Sequence, residues 1–158
     1  MTDWTEKKMD RNELFPAEPL IPHRHRMKLL EWVRRPIGKT LQAETTVTAE
    51  WPLHRDGMVS AVLSIELVAQ AIAALRTWNG GENAKARPGF VVGIKEMEFS
   101  PSSFPVGTRL FIHIAESYHV GEYAVYEGHV NSASDFTCKI MIQAMEAEGG
   151  VFPDPGDR

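Results

Sequence analysis

The stretch LSIELVAQAIAAL, residues 63–75, decides the architecture. Nearly all of it is small or branched aliphatic, and only Ser64, Glu66 and Gln70 break the run. A surface helix carries one apolar stripe, whereas a helix that is apolar almost all round has to be enclosed. The helix is expected from about Ala61 to Thr77, stopped by Gly80 and Gly81 in WNGGEN. One carboxylate, Glu66, lies inside it and loses much of its hydration there unless something compensates. Glu66 is therefore either paired or functional.

Outward from the helix, the chain reads as strands. Upstream, KTLQAETTVTA (39–49) alternates, with Leu41, Ala43, Thr45, Val47 and Ala49 on one side and Thr40, Gln42, Glu44, Thr46 and Thr48 on the other. Downstream come FVVGIKEMEF (90–99), with Gly93 interrupting it, and TRLFIHIAESY (108–118), alternating through Leu110, Ile112 and Ile114. EYAVYEGHV (122–130) alternates through Tyr123, Val125 and Glu127, and FTCKIMIQAMEA (136–147) closes the set. The connections HVGE and NSASD are short enough for hairpins, so the last three strands are expected to form an antiparallel meander. One strand, one enclosed helix and four antiparallel strands describe an α+β domain with a curved sheet around a helix. That is the pattern of the hotdog fold, with cystatin-like and dehydratase-type cone arrangements as alternatives at this point.

Composition bounds the rest. A chain of 158 residues with 43% apolar content is long enough for one domain with a real core. Residues 20–147 are expected to form it, between a polar N-terminal extension (1–19) and a polar tail (148–158), both rich in Pro, Gly or Asp and expected to be loose. A net charge of −4 and scattered Lys and Arg offer no surface for nucleic acid. The single cysteine, Cys138, excludes an intrachain disulfide and fits a reducing interior. The apolar stretch is about 15 residues and contains Glu66 and Gln70, and MTDWTEKKMD lacks an apolar leader core. A cytoplasmic protein with no membrane partner is the expectation.

Three features could carry chemistry. Glu66 has Gln70 one turn later on the same stripe, and in an apolar enclosure its carboxyl pKa is expected to rise, suiting a general acid. His54, in the loop WPLHRDG leading to the helix, is a candidate base. The backbone amides of Ala61 and Val62, at the helix start, are candidate oxyanion donors. His23 and His25, in IPHRHRMKLLEWV, are two apart with no third ligand nearby, so they read as structural rather than as a metal pair. His113, His119 and His129 receive no role, and Cys138 reads as a small buried hydrophobe.

Several segments, in order, resemble the small 3-hydroxyacyl-acyl carrier protein dehydratases of the FabA/FabZ type, which have the hotdog fold. LIPHRHRMKLLEWV is similar to that family's opening LPHRxPxLLxDxV, AVLSIELVAQAIAA to its helix PGVLxxExMAQ, and FVVGIKEMEFSPSSFPVGTRLFIHI to its GIxxxRFxxPVxPGDxL segment. The resemblance covers roughly residues 20–146 and places the family's helix carboxylate on Glu66, its glutamine on Gln70 and its oxyanion-hole glycine on Ala61. The catalytic histidine comes from a GHFP loop in that family, and His54 is the nearest candidate. Here LHRDGMVSAV stands where the family has GHFPxxPxxPG, without the Phe-Pro and the Pro-Gly. This departure, together with FPVGTRL, more closely resembles the dehydratase-like subgroup of aryl polyene lipid biosynthesis.

The resemblance implies removal of water from a 3-hydroxyacyl thioester on acyl carrier protein or coenzyme A, without a cofactor. Glu66 would protonate the departing hydroxyl, His54 would take the α-proton, and amides near Ala61 would polarise the carbonyl, with Gln70 beside the substrate. It also implies a homodimer or higher oligomer, or a partner dehydratase subunit, because such sites combine the histidine loop of one subunit with the helix carboxylate of another. Two alternatives stand beside it: an acyl-CoA or acyl-carrier thioesterase, and a non-catalytic hotdog subunit that binds acyl chains.

Overall fold

In the computed structural model, which describes residues 12–81 and 89–146, the enclosed helix is α1 (Ser64–Asn79), preceded by a 3₁₀ turn at Ala61–Leu63. Ser60 caps that turn by accepting the Val62 amide on its hydroxyl. At the other end the Gly80 amide bonds back to Arg76 and Thr77, and Gly81 takes the left-handed conformation (φ +90°). Ala61–Asn79 is long and apolar enough to cross a membrane by composition, but most of it is buried inside the protein.

The burial comes from a seven-stranded antiparallel sheet. Its strands are β1 (Leu14–Pro16), β2 (Trp32–Arg34), β3 (Thr40–Thr46), β6 (Gly89–Ser100), β8 (Arg109–Val120), β9 (Tyr123–Ser132) and β10 (Thr137–Glu146). They are ordered β1-β2-β3-β8-β9-β10-β6, and α1 packs across β3, β8, β9 and β10 in the hotdog arrangement. The expected meander is present as β8-β9-β10. A second, three-stranded sheet, β4 (His54–Arg55), β5 (Met58–Ser60) and β7 (Ser103–Pro105), carries the segment leading into α1.

Three differences from the expected pattern have physical causes. In β9 the core cluster takes Ala124, Tyr126 and Val130, the alternate set to Tyr123, Val125 and Glu127, although Val125 is buried as well. Gly128 sets this face: a Cβ there would stand 2.7 Å from Val68 on α1, so only glycine lets helix and strand approach so closely. Glu44, expected on the polar side of β3, is only 2% exposed because Arg109 (2.8 Å) and Arg34 (3.8 Å) cover it. The N-terminal extension is not loose throughout: β1 pairs with β2, Phe15 meets Trp78 of α1 edge to face, and Ala17 is fully buried. The tail expected over 148–158 lies outside the described residues.

Candidate active site

Glu66 sits in the first turn of α1 and is half-buried. Its Oε1 accepts two hydrogen bonds, one from His23 Nε2 at 3.0 Å and one from Gln70 Nε2 at 3.1 Å. Among the described residues, Oε2 accepts none, so one oxygen is fixed and the other is open. The hydrogen bond from His23 holds the carboxyl below its ordinary pKa, reinforced by the Gln70 bond, while burial pulls the other way. The expected upward shift is corrected here. Helical spacing shows the apolar run around Glu66, but not the histidine that the fold brings to it.

Gln70 is fully buried and has its whole amide in use. Its Oε1 accepts the backbone amides of Leu29 and Leu30, both at 3.0 Å, and its Nε2 donates to the Met27 carbonyl (2.6 Å) and to Glu66. Ile21, Leu29 and Leu30 are buried on either side of the histidine-bearing segment, and Thr45 Oγ1 donates to the Leu29 carbonyl at 2.6 Å. The segment 21–30 is thus anchored at both ends against α1 and β3, with His23 turned onto Glu66. Among the described residues its buried Nδ1 has no hydrogen-bond partner, so the ring's one polar contact there is the bond to Glu66.

The other expected site residues lie differently. His54 is exposed on β4, and its Nε2 accepts the Gly57 amide (3.2 Å) within the β4–β5 turn. The backbone on either side is left-handed at Leu53 (φ 60°) and Asp56 (φ 52°), an arrangement that costs energy for non-glycine residues. Among the described residues no hydrogen bond or ion pair joins His54 to Glu66; the histidine beside the carboxylate is His23. The amides expected to be free are engaged as well: Ala61 donates to the Ser102 carbonyl at 2.9 Å, because β7 runs alongside this segment, and Val62 donates to Ser60 Oγ at 3.3 Å. Cys138 is buried, and burial raises its thiol pKa, with the neighbouring Ser64 hydroxyl working against that rise. Among the described residues, no group of three or more His, Cys, Asp or Glu side chains could hold a metal ion.

His23 was hidden because it lies far from Glu66 in sequence, whereas His54 is the nearer histidine. The available signal was the PHR piece itself, where a histidine follows a proline just before the buried pair Leu29 and Leu30. The arrangement as a whole offers a fixed, ionised carboxylate with one open oxygen at the end of an apolar helix. Such a group can accept a proton and return it.

Comparison with known proteins adds a family. The pattern that defines the ApeP-like family, ApeP dehydratase, matches residues 15–151. The sequence has no significant match among curated proteins. Among solved structures, the dehydratase heterocomplex ApeI:P from Xenorhabdus doucetiae superposes with a TM-score of 0.76 at 21% identity, over 85% of this chain and 93% of that one. The virulence protein Cj0977 from Campylobacter jejuni gives a TM-score of 0.64 at 9% identity, over 85% and 89%. PaaI of the E. coli phenylacetic acid degradation operon gives 0.56 at 12%, over 72% and 81%. At these identities the likenesses establish the fold.

Proposed function

Because the chain belongs to the ApeP-like dehydratase family, we propose that it removes water from a 3-hydroxyacyl thioester, on acyl carrier protein or coenzyme A, with Glu66 moving the proton. The observation that carries this reading is the carboxylate held on one oxygen by His23 and Gln70 and open on the other. In the elimination a proton leaves C2, the C2–C3 double bond forms, and the hydroxyl leaves C3, taking up a proton to become water. Glu66 enters ionised, so Oε2 accepts the C2 proton and the carboxyl then delivers it to the departing hydroxyl. The carboxylate is regenerated and the reaction balances without a cofactor.

His54 enters this proposal as a residue of a second subunit. It is exposed, and its small sheet and the adjoining turns also expose Leu53, Met58 and Val106. The last strand in the large sheet, β6, has one edge unpaired among the described residues and exposes Val91, Val92, Ile94 and Phe99. Unpaired apolar edges of this kind are joined by another chain or protected. A second reading, a chain active only beside a partner dehydratase subunit, is favoured by the exposed position of His54 on β4, bonded only to its own turn among the described residues; the ApeI:P structure is itself a heterocomplex.

The test is hydration of a trans-2-enoyl thioester, followed at the enoyl absorbance, with free thiol measured in parallel. Wild type is expected to consume the enoyl band without releasing thiol, and Glu66→Gln to lose activity by about 100-fold or more, the scale of a general acid–base group. His54→Ala is run in the same assay, alone and mixed with Glu66→Gln. His54→Ala alone is also expected to lose activity if His54 serves the site, and restored activity in the mixture is then expected if the two residues come from different subunits, because a mixed assembly keeps a site with both intact. Thiol release from saturated acyl thioesters, with no effect on the enoyl band, would replace this reading with a thioesterase.

A further inference from the structure

The family reading leaves His23 without a role, and the structure gives it one. We propose that His23 is a positioning residue for Glu66, fixing Oε1 so that Oε2 faces the hydroxyacyl chain. This inference rests on the dehydratase reading. Three observations support it. His23 Nε2 lies 3.0 Å from Glu66 Oε1, and among the described residues that is the only polar contact its ring makes, since Nδ1 is buried without a partner there. The bond therefore requires the hydrogen on Nε2. The segment carrying His23 is tied to the same helix one turn further on, where Gln70 binds Met27, Leu29 and Leu30. Gln70 also donates to the same Oε1, so both donors converge on one oxygen and neither occupies the other. A surface pair without function has no reason to be braced this way.

The titratable groups around Glu66 are few. From the entry segment comes His23, and from β10, behind the helix, Cys138 lies beside Ser64 with a thiol that burial keeps protonated. Glu18, Arg24 and Lys28 on the neighbouring turns pair with one another. Gln70 is neutral. Loss of His23 therefore removes the one chargeable group among the described residues that lowers the Glu66 pKa.

The experiment measures two things on the full chain: enoyl thioester hydration against pH, and the Glu66 titration midpoint by carboxyl-carbon NMR. The variants are His23→Ala, His23→Gln, which keeps a side-chain N–H, and His25→Ala as an exposed neighbour outside the site. His23→Ala is expected to lower kcat by about tenfold or more with KM changed less than about twofold, the pattern of a misplaced reacting group. Its acid limb and the Glu66 midpoint are expected to move together to higher pH. His23→Gln is expected to recover much of kcat, and His25→Ala to match wild type. An unchanged Glu66 midpoint in both folded His23 variants would overturn the proposal. If the midpoint moves but wild type hydrates no enoyl thioester, the pairing stands and the dehydratase reading fails instead.

Discussion

Gln70 shows what one buried side chain can settle: both acceptor positions and both donors are matched, and three of its partners are backbone groups of residues 27–30. Gln70→Leu keeps the bulk but leaves the buried Leu29 and Leu30 amides and the Met27 carbonyl without their partner, at a cost on the order of 3 kcal/mol. Denaturant unfolding should read that loss, and a variant as stable as wild type would show the clamp to be dispensable. Glu66 makes a prediction about pH. Its folded pKa is depressed by the His23 bond, so it contributes stability above its unfolded value near 4.5 and loses that contribution as pH falls through the folded value. Between pH 7 and about pH 3, wild type should therefore lose more unfolding free energy than Glu66→Gln. Equal losses would mean that the bond does not act on the carboxylate. At this scale the sequence was partly legible: a charge in an apolar helix announces itself by its desolvation cost, and Gln70 by its place one turn away. His23 was not legible, because a contact between distant segments leaves no local period. The rise expected for the Glu66 pKa followed from burial alone and missed the donor that reverses it.

The elements were legible where they are long. The helix and the strands β8, β9 and β10 carry ten residues or more each, enough for period 3.6 or period 2 to stand out. The strands β1, β2, β4, β5 and β7 have two or three residues each and present no period at all. They nevertheless decide where His54 and the start of α1 lie. The approach of α1 to β9 is equally local in cause. A methyl group at Gly128 would meet Val68 at 2.7 Å and Ile140 at 3.2 Å. Gly128→Ala should therefore cost roughly 1–3 kcal/mol by pushing the helix off the sheet. Adding Val68→Ala should recover part of that cost, and a neutral Gly128→Ala would show that the contact has room to relax.

At the scale of the fold, an apolar core helix is closed in on one side by a seven-stranded sheet whose β6 edge is apolar and, among the described residues, unpaired. If that edge meets another chain, replacing Val92 and Ile94 together by lysine should drive the protein toward monomer in sedimentation, since edge lysines oppose strand pairing. Unchanged association would move the interface elsewhere, to the small sheet that exposes Leu53, Met58 and Val106. If His54 acts on a neighbouring subunit's carboxylate, as proposed, activity and assembly are lost together. The most direct test of the central claim, that Glu66 moves a proton at C2 of an acyl thioester, is enoyl thioester hydration in heavy water with the product analysed by mass spectrometry. Wild type should place one non-exchangeable deuterium on C2 of the 3-hydroxyacyl product, and Glu66→Gln should place none. Free thiol without deuterium at C2, or deuteration by Glu66→Gln at the wild-type rate, would contradict it.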